Sequence, residues 1–368
     1  MRRWLERVGS QVLMRCLFLC LWGLWAVAFA TSSTQAASCI EQKSRALNRL
    51  ERVHVYKGIR VFWTELPPRS GADHRLPKQS AVDLNHSGIP DLIENIAIQA
   101  DAARRAYIAA GFPDPLDAPR YQGVEFIDIN ILKMKYNGLA YDAALVYPDA
   151  PERGLACTLR IDISNQLETG LRGPVDKRVQ PVFTKHWFVV GHEMFHLFQY
   201  GLTQFKRSWI NEPTAKWAEY ALRRGGLYEN KLPHYSLPSS SRELKSDLIE
   251  APTRNTANLF WSALIKSCRN PFASHILPKS MLEETYTDGQ LIFKDGLWDG
   301  VGFILAVYQA LQDEDIMLSS VHSLNPSDWP ERYQISPEHD ERLVKVIKDV
   351  VRNCGVNSDE VNLFLDVK

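Results

Sequence analysis

Val190-Gly191-His192-Glu193-Met194-Phe195-His196, with Glu212 following sixteen residues later inside Trp209-Ile210-Asn211-Glu212-Pro213-Thr214-Ala215, is the stretch that decides the fold. Positions four apart on a helix share one face about a turn from each other, so His192 and His196 can offer two imidazole nitrogens to one ion. Glu193 lies one position round from His192 and can reach a metal-bound water without ligating. In this H-E-x-x-H arrangement zinc lowers the pKa of its water to about 7, and the glutamate takes the proton as the water attacks a carbonyl. Three fixed residues in five recur by chance, so the surroundings carry the weight. Phe188, Val189, Val190, Phe195, Leu197 and Phe198 make the segment apolar all round, as in a helix buried in a core. Two imidazoles and a carboxylate there would cost several kcal/mol if unpaired, and coordination removes that cost.

The third ligand decides the subclass. A metzincin needs H-E-x-x-H-x-x-G-x-x-H, but Gln199 and Leu202 stand where the glycine and the last histidine belong. Residues 209–220 start like a new helix, with Asn211 as N-cap and Pro213 in the first turn. Here the chain resembles the gluzincins, whose second zinc helix carries W-x-N-E-x-x-A-x-x-x-E, matched by Trp209, Asn211, Glu212, Ala215 and Glu219. The resemblance implies that Glu212 is the third zinc ligand. Glu219 lies seven residues on, about 10 Å along the axis, so both cannot bind one ion. It is a candidate to orient His192, with a solvated surface glutamate as the plain alternative. Pro213 and Thr214, and the lack of a G-A-M-E-N-type strand, argue against an aminopeptidase. The chain looks closer to bacterial secreted gluzincin-like proteases in which an Asn-Gly-Ile-Pro-Asp-like loop precedes the zinc helix, a resemblance covering residues 53–220.

That loop is Asp83-Leu84-Asn85-His86-Ser87-Gly88-Ile89-Pro90-Asp91-Leu92-Ile93-Glu94. Counted as a twelve-residue calcium loop, Asp83, Asn85, Ser87, Asp91 and Glu94 place oxygen side chains at positions 1, 3, 5, 9 and 12. Gly88 supplies the sharp turn at 6, and the Ile89 carbonyl serves position 7. Pro90 at position 8 resembles the single loops of thrombospondin-like calcium repeats. Apolar residues at helical spacing follow until Gly111 and Pro113 stop the helix. The plain alternative is a polar turn opening a helix, and Ser87 in place of an aspartate weakens affinity in any case.

Residues 1–15 are basic, residues 16–30 are apolar, and Ala28-Phe29-Ala30 fits a cleavage site, with a later cut near Ala37 as the variant. This reads as a signal peptide for an exported protein, periplasmic or secreted. An N-terminal membrane anchor and a lipoprotein acylated at Cys39 are the alternatives. No later stretch is long enough for a stable membrane span. After cleavage Cys39, Cys157, Cys268 and Cys354 remain, an even number in an oxidising compartment, so two disulfides are expected. Four cysteines allow three pairings, and Cys39 with Cys157 and Cys268 with Cys354 keeps each bond within one half of the chain.

With 43 basic and 43 acidic residues the formal charge is zero, which gives no reason to expect a nucleic-acid partner. Periodicity reads residues 53–63, 124–132, 139–147 and 158–164 as strands, and residues 257–268, 300–312 and 337–353 as helices. The expected fold class is α+β and zincin-like: a lobe over residues 38–205 with a mixed sheet, the calcium loop and the H-E-x-x-H helix, and a mostly helical lobe over 206–368 carrying Glu212. In such folds an edge strand above the zinc helix pairs with an extended peptide, and residues 158–164 or 139–147 are the candidates. His234, Tyr235 and Tyr286 are candidate donors to an oxyanion. The expected activity is zinc-dependent hydrolysis of a peptide or protein substrate with Glu193 as general base. The alternatives are a non-catalytic binding or adhesion protein on a zincin scaffold and a metallohydrolase of a non-peptide amide.

Overall fold

Ile127, Ile129 and Ile131 alternate with Asp128 and Asn130, and Leu159, Ile161 and Ile163 alternate with Arg160 and Asp162, a period of two that gives each segment an apolar face. A computed structural model describes residues 39–167, 188–219, 236–250, 254–268, 275–293 and 296–368. Residues 1–38, with the expected signal peptide, the Gly225-Gly226 turn, His234 and Tyr235 lie outside the described residues.

The two segments become β4 (Phe126–Leu132) and β7 (Thr158–Ser164) of one mixed seven-stranded sheet in the order β1 (Ile40–Glu41), β6 (Leu145–Val146), β7, β4, β3 (Ile59–Trp63), β2 (Arg52–Tyr56), with β5 (Gly138–Ala140) also on β7. Strands β3, β4 and β7 run parallel, and β2 and β5 are antiparallel to their neighbours. Residues 53–63 are not one strand but a hairpin. Lys57 at φ 47° and Gly58 at φ 81° form a two-residue turn whose twist suits the flanking strands. Residues 139–147 likewise divide into β5 and β6.

The apolar faces of β3, β4 and β7 pack into one core with helices α1 (Asp91–Ala109) and α2 (Val189–Leu202). Tyr107 joins the two helices. Its hydroxyl donates to Gly191 O at 2.8 Å, and its ring meets Phe195 edge-on at 5.1 Å. The polar face of the sheet is buried as well. Parallel register sets Arg60 beside Asp128 and Asp128 beside Arg160. Arg60 grips Asp128 through two bonds of 2.6 and 2.9 Å, and Arg153 reaches Asp128 at 3.0 Å and Asn130 at 2.6 Å. Arg160 clamps Asp162, which also accepts from Asn130 and Tyr141. A second small core of Leu47, Leu50, Phe62, Leu132, Leu145 and Tyr147 lies on this side, with the Arg153 guanidinium 3.8 Å over the Phe62 ring.

After β7 the described chain is mostly helical: α3 (Ser208–Ala218), α4 (Arg254–Cys268), α5 (Val301–His322), α6 (Asp340–Asn353) and α7 (Asp359–Asp366). Helix α5 runs ten residues past the expected end at 312. The acidic run that looks like a terminus contains Asp315, which is buried and accepts from Gln204 N at 2.7 Å. Helix α7 was not anticipated; Ser358 caps it by accepting from Val361 N. Disulfides Cys39–Cys157 and Cys268–Cys354 match the favoured pairing, with Cα separations of 5.9 and 5.3 Å. They fit a non-cytoplasmic location, and with its sulfur bonded to Cys157, Cys39 has no free thiol to acylate. Among the described residues no helix is long and apolar enough to cross a membrane.

Asp128 is fully buried between two guanidinium groups, so removing it strands two charges. Asp128→Ala should lower the unfolding free energy by about 3–5 kcal/mol in a urea titration. A loss below about 1 kcal/mol would mean that the arginines find water or other partners.

Candidate metal centre

Helices α2 and α3 meet at the site. The all-round apolar character of α2 is matched by its burial: Val190, Met194, Phe195, Leu197 and Phe198 are each fully buried. Helix α3 starts at Ser208, earlier than expected, so Asn211 is a buried helical residue and Arg207 holds the N-cap position. Pro213 is therefore inside the helix, where it cannot donate to the carbonyl of Trp209. The Trp261 indole of α4 supplies the missing donor, bonding Trp209 O at 2.8 Å.

The structure brings the three expected ligands together. His192 Nε2 and His196 Nε2 are 3.2 Å apart, and the Glu212 carboxylate lies 3.6 Å from the first and 3.7 Å from the second. One donor atom from each falls within 4.8 Å of the others, and no other such group of three occurs among the described residues. The far nitrogen of each ring is occupied. His192 Nδ1 faces Glu219 Oε1 at 2.9 Å, and His196 Nδ1 faces Gln199 Oε1 at 2.6 Å. Both partners accept, since the Gln199 amide nitrogen donates to Asn211 O and Thr214 Oγ1. In the neutral rings the Nδ1 atoms therefore carry the hydrogens, and the two Nε2 atoms converge beside a carboxylate. Such a donor set repels itself unless a cation sits among its members, and two imidazoles with one carboxylate suit zinc.

Burial depresses the His192 imidazole, but hydrogen bonds to Glu212 and Glu219 outweigh it and raise its pKa to about 9. His196 falls to about 4, through burial and then repulsion by His192. Burial lifts Glu193 to about 7, opposed by the attraction of His192.

Glu193 sits on α2 under β5. The Ala140 backbone N–H donates to its carboxylate, and a Cβ at Gly138 would lie 2.5 Å from its Cγ and Oε1. Only glycine leaves room for the carboxylate there. Of the two candidate edge strands, β7 has β4 on one side and β5 and β6 on the other, so residues 158–164 are interior and only the 138–140 segment lies at an edge. Tyr286 is buried, its hydroxyl accepting from Gln99 of α1, and is engaged in packing rather than offered to a ligand. Glu219 is buried and holds His192 while pairing with Lys216 at 2.7 Å.

Comparisons with protein-family models, curated proteins and solved structures give no match. The structure adds Gln199, as the partner of His196, and Gly138, as the neighbour of Glu193, to the residues of the site. Gln199 follows His196 by three residues, one turn along the same face, and that spacing was the available signal. Gly138 carries no signal, because its need arises from a contact between distant segments.

Gln199→Met keeps the side-chain volume and removes the acceptor for His196 Nδ1. It should weaken zinc binding about 10–100-fold in a chelator competition. Unchanged affinity would show that His196 is oriented by packing alone.

Proposed function

We propose that this protein is a zincin-type zinc metallopeptidase, with His192, His196 and Glu212 as ligands and Glu193 as general base and acid. The observation that carries this reading is the convergence of two tautomer-fixed Nε2 atoms on Glu212, with a fourth group, Glu193, buried beside them and outside the ligand set. Zinc held there would supply Lewis acidity and bring the pKa of a coordinated water to about 7. Everything else falls to the chain. Glu219 and Gln199 hold the imidazoles at fixed tilt, so that the ligands need no reorganisation. Glu193 has its pKa raised toward neutrality by burial, which suits a group that accepts a proton from the attacking water and returns it to the departing amine. Gly138 and the Ala140 N–H keep that carboxylate in place, and the remaining backbone groups on the edge of β5 that no described strand covers suit an extended peptide. Such an edge favours a peptide over a compact non-peptide amide. A base retained in place favours an enzyme over a scaffold that only binds. The disulfides suit work outside the cytoplasm.

The test is zinc content together with cleavage of a peptide library mapped by mass spectrometry. Wild type should bind one zinc and cleave. Glu193→Gln and Gly138→Ala should keep the zinc and lose about 10²–10⁴-fold in rate, whereas His196→Ala and Glu212→Ala should lose the metal. Stoichiometric zinc in Glu212→Ala but not in Glu219→Ala would overturn the choice of third ligand. Stoichiometric zinc in wild type with no cleavage would favour the binding scaffold.

A further inference from the structure

Helix α1 begins on a loop with an unexplained buried oxygen. Asp91 is 2 % exposed, and its Oδ2 accepts from Leu84 N at 3.0 Å, which turns the carboxylate toward residues 83–90. Among the described residues its Oδ1 has no hydrogen-bond partner. An aspartate in the first turn of a helix ordinarily accepts from the backbone N–H groups there. Asp91 instead accepts from the loop, and its second oxygen accepts from nothing. A bare carboxylate oxygen out of water is costly, and the group that would satisfy it carries positive charge.

The polar side chains of the loop that Asp91 grips have one chemical character. Asp83 accepts from Ser87 N at 3.1 Å through one oxygen and from Gly88 N at 2.8 Å through the other, and Asn85 Oδ1 accepts from the same Ser87 N at 2.9 Å. Gly88 at φ +83° and His86 at φ +57° curl the backbone between these side chains, and Ser87 Oγ donates to the Ile89 carbonyl at 3.3 Å. Glu94, one turn into α1, is already held to the loop by Asn85 Nδ2 at 2.8 Å.

We propose that residues 83–94 bind one calcium-class divalent cation through Asp83, Asn85, Ser87, the Ile89 carbonyl, Asp91 and Glu94, with the orphaned Asp91 Oδ1 as the fixed ligand. An all-oxygen set of this size and flexibility prefers calcium to zinc, which takes nitrogen and sulfur, and to magnesium, which demands a tight octahedron. The carboxylates of Asp83, Asp91 and Glu94 are not gathered within 4.8 Å as the His192, His196 and Glu212 atoms are, so binding turns Glu94 off Asn85 and inward. Neutral residues at Asn85 and Ser87 place the site in the weaker class, with a dissociation constant of about 10⁻⁴–10⁻³ M.

The ion would lock the start of a helix on which other parts depend. Asn95 exchanges hydrogen bonds with Thr287 at 2.7 and 2.9 Å, Gln99 bonds Tyr286, and Tyr107 bonds the metal-bearing helix at Gly191. The inference does not rest on the zinc reading.

The experiment titrates zinc-loaded protein in EGTA-treated, dialysed buffer with calcium chloride alone, followed by calorimetry and by thermal melting, with magnesium chloride in parallel. Wild type should take up one calcium and its melting temperature should rise across the millimolar range, with magnesium at least tenfold weaker. Asp91→Asn should remove both effects while its circular dichroism and its content of any other metal match those of wild type. Asp83→Asn and Glu94→Gln, which keep acceptors in place, carry the same test should Asp91→Asn misfold. No uptake by wild type at 10 mM calcium, about tenfold above the weakest expected dissociation constant, or an equal rise in wild type and all three variants, would overturn the proposal.

Discussion

Two imidazole nitrogens facing each other across 3.2 Å beside a carboxylate, inside a helix whose neighbours are apolar, form the constraint around which this molecule is built. Neither ring can turn away. Glu219 fixes one from the end of α3 and Gln199 fixes the other from within α2, and Gln199 also ties α2 to α3 through Asn211 and Thr214. A single amide thus does two jobs, setting a tautomer and joining two helices. Thr214 passes the contact on to Tyr308 of α5, so the polar network under the site reaches the helical half of the chain.

The frame beneath α2 is a sheet whose inner strands β3, β4 and β7 are buried on both faces. One face is apolar and carries α1 and α2. The other holds a bonded array of three arginines, two aspartates and an asparagine. Pairing removes much of the cost of burying these charges without making them a strong source of net stability. Their geometry suits another role, since each clamp spans neighbouring strands or fixes a side chain in register. Strand β7, held this way by Arg160 and Asp162, positions β5, and β5 positions Glu193 through Gly138 and Ala140.

The chain disclosed the site more readily than the fold. His192, Glu193 and His196 are legible because helical periodicity alone puts them on one side of a buried helix. Glu212 came from a resemblance, and its place beside the histidines depends on a bend between two helices that no local pattern encodes. Strand β7 was legible from alternation, but the dry, ion-paired character of its polar face was not, because a polar residue on a strand looks alike whether water or an arginine covers it. Lys57-Gly58 was passed over as a turn because lysine rarely adopts positive φ. Pro213 was placed in a first turn because its usual cost inside a helix is offset only by Trp261, almost fifty residues away.

X-ray absorption at the zinc edge tests the central claim most directly. The account predicts two imidazole nitrogens at about 2.0–2.1 Å and a carboxylate oxygen at about 2.0–2.2 Å in the zinc-loaded protein, with the carboxylate signal lost in Glu212→Ala. A single imidazole, a sulfur ligand, or a spectrum unchanged by that substitution would contradict it.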